Sequence, residues 1–167
     1  MTQDVDVVAH LGDCFDATYR GLGELAPLMS NDAFVVVTHE MSRSFGEVAL
    51  SMREYMNRPL VPLPVISALL ARSNTLDPSG TLTLYAVAVV LGPRLLVSLR
   101  DALEIVSEPR ARAIFDEAQL VTVRQVRRVG ELVAEPGIDE TSWLAGVREL
   151  GDMVEFGQNA ESFGLFR

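Results

Sequence analysis

Apolar residues recur along this chain mostly three and four positions apart, the spacing of helices that bury one face, and the pattern predicts six helices. The first, over residues 4–27, sets Val8, Leu11, Phe15, Thr18, Leu22 and Leu25 on one side. The second, over 31–57, carries Phe34, Val37, Met41, Phe45, Val48, Met52 and Tyr55 in the same alternation. Ser30 is the expected N-cap, with Met29 and Phe34 spaced as a hydrophobic staple. Residues 58–64 hold three prolines and read as a stiff extended crossover, followed by a short helix over 64–72. Asp77-Pro78 supplies an N-cap and a first-turn proline for a long helix to Val106. Ser107-Glu108-Pro109 restarts the chain for a fifth helix to about Ala134. After Glu135-Pro136-Gly137, Asp139 caps a last helix to about Ala160, with Ile138 and Trp143 as a second staple. An apolar tail containing Phe163, Leu165 and Phe166 closes the chain.

The segment 81–91 (TLTLYAVAVVL) is the ambiguous one, because its Val and Thr content and its first four residues also suit a strand. Leu95, Leu96 and Leu99 carry the apolar pattern past strand length, so a helix is expected. Being apolar all round, it is expected to lie at the centre of a bundle, kinked at Gly92-Pro93. The whole chain, 1–167, then forms one all-α domain, an up-down bundle of five to six helices with a proline-rich crossover.

Phasing the charges on these helices places most of them away from the stripes. Asp13, Asp16 and Glu24 fall opposite the first stripe, and Asp116, Glu117 and Arg124 point away from the fifth helix's stripe of Ala111, Phe115, Ala118, Thr122, Val126, Val129 and Val133. Glu40 with Arg43, Arg43 with Glu47 and Glu54 with Arg58 have the spacing of surface ion pairs. Thr38, Ser44, Gln119, Thr122 and Gln158 share the apolar phase and read as an internal hydrogen-bond network. Alternatively, Met41, Gln119, Thr122 and Gln158 line a small ligand pocket near the Gly92-Pro93 kink.

Familiar catalytic patterns are incomplete. The chain holds two histidines, His10 and His39, and His39-Glu40 does not extend to HExxH because Arg occupies position 43. Cys14 lies one helical turn from His10 without a third orienting group. Gly12, Gly21 and Gly23 sit within a helical pattern, where glycine permits close helix packing, and form no phosphate loop. Arg124, Arg127 and Arg128 make a basic cluster without interleaved aromatics, read as a solvated helix face. No residue is assigned a catalytic or metal-ligating role, and no cofactor is expected.

Composition narrows the partners. The net charge of -9 disfavours phosphate backbones and anionic headgroups, so neither nucleic acid nor a membrane is expected as partner. All 14 basic residues are arginine, which fits the codon usage of a GC-rich bacterial genome; the functional alternative is arginine chosen for anion recognition. A single cysteine, an N-terminus without a signal-peptide pattern and a longest unbroken apolar run of 84–92 lead to the expectation of a cytoplasmic protein.

With the helices laid out, the chain resembles a ferritin-like bundle and is most similar to the actinobacterial branch related to bacterial tRNA hydroxylases. EPRARAIFDEAQLVTVRQVRRVGELVAEP, residues 108–136, has the entry and basic-apolar rhythm of that family's penultimate long helix, and SWLAGVRELGDMVEFGQ, residues 142–158, resembles the closing one. The resemblance implies the fold and, in metal-binding members, Glu-x-x-His on two helices. The corresponding stretches here read Glu40-Met-Ser-Arg43 and Val121-Thr-Val-Arg124, where arginine cannot ligate iron. The expectation is a degenerate member without its di-iron site, a non-catalytic binding or scaffold protein, homodimeric through its apolar tail. Two alternatives stand beside it. One is a divergent di-iron oxidase or hydroxylase using Asp13, His39, Glu40 and Glu117; the other is a small-molecule-binding helical module.

Overall fold

The computed structural model describes residues 2–133, which form five helices and no strand. Helix α1 spans Thr2–Leu25 and ends in a 3-10 turn, Ala26–Leu28. Helix α2 is Asp32–Met56, α3 is Pro64–Leu76, α4 runs over Thr81–Ile105 and α5 is Pro109–Val133. The predicted last helix, Gln158 and the apolar tail lie outside the described residues.

Local chemistry sets each boundary. Asn31, rather than Ser30, caps α2: its side-chain oxygen accepts from the N–H groups of Ala33 at 3.0 Å and Phe34 at 3.3 Å. The staple inferred for Met29 and Phe34 is therefore out of register by one residue. At the other end Asn57 adopts a left-handed φ of 52°, which asparagine tolerates better than most residues. The expected start of α4 at Asp77-Pro78 falls later, at Thr81. Asp77 still acts on that helix, one oxygen accepting from Leu82 N–H at 2.9 Å across a turn closed by Gly80. Gly80 has φ 97°, and a Cβ there would sit 2.6 Å from the Met29 sulfur. Glu108 caps α5, accepting from Ala111 N–H at 2.8 Å ahead of Pro109.

The four long helices form a square. Gly12 lies against Met52 and Gly23 against Ser42, so α1 and α2 are antiparallel. Asp4, at the start of α1, bonds Ser107 and Glu108 beyond the end of α4, while Ser30 N–H donates to Pro78 O at the opposite end. Helix α4 thus runs against α1. Gly92 meets Val126, and Gln125 meets Ser44, so α5 is antiparallel to both α4 and α2. The chain therefore goes up, down, along the crossover with α3, down again and up. Helix α3 packs on α1 and on the first turns of α4.

The predicted stripes form the core. Phe15 on α1 and Phe45 on α2 meet with ring centroids 5.8 Å apart, and Phe115 on α5 is equally buried. The segment 81–91 is helical, not extended, and its π turn Ala86–Leu91 answers the proline expected to kink it. Pro93 offers no N–H and crowds the carbonyl four residues back. Widening the preceding turn, with Gly92 N–H donating to Val87 O, accommodates it without ending the helix. By length and composition Thr81–Ile105 could cross a membrane, yet 61% of its most apolar window is buried inside the bundle.

Helix α1 departs most from its expected phase. Residues 11–18 are all buried, including Asp13 and Asp16, which the phase of the stripe puts on the opposite side. A one-stripe reading suits a helix with solvent on one side, whereas α1 is covered by α2, α3, α4 and the crossover. Two ion pairs shift for related reasons. Arg58 reaches Asp13 at 3.5 Å rather than Glu54, and Glu40 takes Arg128 of α5 at 2.5 Å rather than Arg43. Arg43–Glu47 forms as expected, at 3.1 Å.

Candidate functional site

Of the residues proposed to line a pocket, Met41, Gln119 and Thr122 are among the described residues, and Gln158 lies outside them. Met41 and Thr122 are fully buried, and the Thr122 hydroxyl donates to Ala118 O at 2.7 Å within its own helix. Gln119 is half-buried; the amide that faces α2 belongs to Gln125, six residues on, whose Nε2 donates to Ser44 Oγ at 3.2 Å. Its Oε1 is buried without a partner among the described residues. Of the remaining network candidates, Thr38 hydrogen-bonds the Met29 sulfur at 3.3 Å, and Ser44 donates to Glu40 O. Ser44 and Thr122 thus bond carbonyls of their own helices, while Thr38 reaches Met29 and Gln125 joins Ser44 across the α2–α5 seam.

The residues of the oxidase alternative face different surroundings. Asp13 accepts from Val61 N–H at 2.7 Å and pairs with Arg58, which ties α1 to the crossover. Glu40 is half open at the α2–α5 seam, Glu117 is exposed on α5, and His39 lies on the outer side of α2. A di-metal carboxylate centre in a four-helix bundle needs inward carboxylates and histidines from facing helices. The inward positions here hold Phe15, Met41, Phe45, Phe115 and Ala118, which do not fit such a centre. Among the described residues no three His, Cys, Asp or Glu side chains gather as a metal ion would require. Arg43 and Arg124 are both exposed, so the stretches matched to Glu-x-x-His point outward. The residues that occupy the interior next to them are Met41, Phe45 and Thr122.

Cys14 and His10 are neighbours on α1 but ill suited to nucleophilic work. Burial, reinforced by the nearby Asp13 charge, pushes the Cys14 thiol far up, away from the reactive thiolate. Burial also lowers His10, against the opposing pull of Asp13, and its Nε2 has no hydrogen-bond partner among the described residues.

An open groove of about 650 Å³ does exist, on the outer seam of α1 and α2. Two close contacts build its floor. Gly46 lies under the Tyr19 ring, where a Cβ would come within 2.8 Å of the ring edge. Beside it, Ser42 Oγ donates to Tyr19 O at 2.8 Å, and Gly23 leaves room for that hydroxyl. The walls are His39, Arg43, Leu50 and Arg53 from α2, with Asp16 and Arg20 from α1 and Leu60 from the crossover. Arg20 Nε donates to the buried Asp16 at 2.7 Å, a bond that strengthens the guanidinium's hold on its proton. Arg43 is matched by Glu47. Arg53 forms no ion pair among the described residues, and it also lines an adjoining groove of about 490 Å³ with Glu54, Asn57 and Arg58.

The groove's α2 residues stand at positions 39, 43, 46, 50 and 53, the three-and-four spacing of a single helix face. That periodicity was visible in the sequence but is identical to that of a solvated face. What could not be read was the approach of Tyr19 across the seam at Gly46. The chain matches no family model, no curated protein and no solved structure.

Proposed function

We propose that this chain is a ferritin-like bundle without a di-metal centre, acting as a cytoplasmic, non-catalytic binding or scaffold protein. Its connectivity supports the ferritin-like part: two antiparallel helix pairs joined by one long crossover is the wiring that distinguishes such bundles from simple up-down ones. The observation that carries the non-catalytic part is the interior itself. Where facing helices would present carboxylates and imidazoles, the space holds Phe15, Phe45 and Phe115, close-packed with Met41. Every buried carboxylate among the described residues has a partner: Asp4 and Asp13 hold loop backbone N–H groups, and Asp16 pairs with Arg20 on its own helix.

Elemental analysis of the purified full chain tests this reading. Less than stoichiometric iron and manganese is expected, even after growth in metal-supplemented medium. One or two equivalents of either metal, removed by a chelator with loss of a visible absorption band, would overturn it. The small-molecule reading draws support from the α1–α2 groove, whose volume lies within the common range for ligand sites.

A further inference from the structure

We infer that the α1–α2 groove is a binding site for a small aromatic oxyanion, a planar apolar group bearing one phosphate or carboxylate. The inference rests on the binding-protein reading above and gives it a ligand class.

Charge comes first. The groove carries Arg20, Arg43 and Arg53 against Asp16 and Glu47, a local excess of positive charge on a chain whose net charge is -9. Two of the arginines are matched, Arg20 by Asp16 and Arg43 by Glu47. Arg53 forms no ion pair among the described residues and stands where the two grooves meet, with Glu54 and Arg58 lining the second. A guanidinium presents paired N–H donors that fit a phosphate or carboxylate through two parallel bonds. The Arg43–Glu47 pair is 83% and 67% exposed, so it binds weakly and its arginine can be shared with an incoming anion.

Shape and polarity then favour a ligand larger than a bare ion. Tyr19, 39% exposed, shows a ring held in place by Gly46, and Leu50, half exposed, lies one turn of α2 further on, with Leu60 opposite. Exposed apolar side chains at the bottom of a cationic groove offer a stacking surface next to a charge clamp. Gly46 and Arg53 are seven residues apart, about 10 Å along the helix axis. An arginine side chain reaching back and an aryl oxyanion reaching forward span that distance together.

The test is isothermal titration of the full-length protein with phenyl phosphate, benzoate, inorganic phosphate and phenol. Saturable binding of phenyl phosphate or benzoate is expected, tighter than for inorganic phosphate or phenol alone; the tighter of the two aryl anions identifies the oxyanion. Arg53→Gln should weaken it about tenfold, the loss of one charge-assisted contact, with the melting temperature unchanged. Arg127→Gln, on the far face of α5, should bind as the parent does. Absence of saturable binding by either aryl anion overturns the inference, as does an equal loss from both arginine variants, which would indicate diffuse surface charge. Metal content measured on the same preparation keeps the outcomes separate: metal-free protein that ignores every probe removes the ligand assignment alone, whereas stoichiometric metal removes the binding-protein reading.

Discussion

Asp4 uses a single carboxylate oxygen to accept from the N–H of Ser107 at 3.3 Å and of Glu108 at 3.1 Å, closing the turn between α4 and α5 onto the start of α1. Asp4 is 6% exposed, and its replacement by alanine removes the acceptor of two backbone donors at a partly buried turn. Hydrogen bonds to charged groups contribute about 1.5–3 kcal/mol each and less where water can replace the acceptor, so Asp4→Ala is expected to destabilise the fold by about 1–2 kcal/mol in urea unfolding. His10 sets a pH dependence of a definite sign. Burial lowers its pKa from the ordinary 6.5, so the folded chain binds fewer protons there than the unfolded one. Its contribution is therefore complete above about pH 7 and is lost as pH falls through 6.5 and below. His10→Gln should flatten the stability profile over that acidic limb; an unchanged slope would show that another group governs it.

Among the elements, α4 makes the most exacting contact. A Cβ on Gly92 would stand 2.2 Å from a Val126 methyl and 2.8 Å from the Val87 carbonyl oxygen. The first clash is with a half-buried β-branched side chain, stiff at χ1, and the second with backbone, so neither relaxes freely. Gly92→Ala is expected to cost about 1–3 kcal/mol as overpacking. Val126→Ala should recover only part of that loss, since the carbonyl contact remains; full recovery would mean that the π turn adjusts. The helices themselves were legible because their stripes and punctuation are local: prolines at 64 and 109 and Asn57 mark boundaries within a few residues of those found. The π turn was not, since Gly92-Pro93 announces a disturbance without saying whether the helix bends, breaks or widens. Nor were the partners of Asp13, Glu40 and Gln125, because each choice depends on which helix lies alongside. Phase within one helix cannot supply that. The same limit hid the groove: its α2 row was readable, its α1 wall was not.

At the scale of the whole molecule, the crossover lets α2 and α4 run parallel on opposite corners of the square. Neighbouring helices are then all antiparallel, and the interior is closed by large apolar side chains on α1, α2 and α5. The acidic surface and the local cationic groove are consistent with one another, because a small anion reaches a screened pocket that a large polyanion would not. The Asp13 anchor carries a consequence for the time course of folding. Helices α1 and α2 adjoin in sequence and can zip together early, while the bond from Val61 N–H to Asp13 joins residues 48 positions apart. Contacts that close long loops tend to form after the rate-limiting barrier when local ones suffice to cross it. Asp13→Ala should therefore accelerate unfolding and leave the refolding rate nearly unchanged in a stopped-flow chevron. Slowed refolding would place the crossover in the nucleus instead. On this account the buried aspartate acts chiefly as a latch, setting how long the folded bundle persists rather than how fast it is reached.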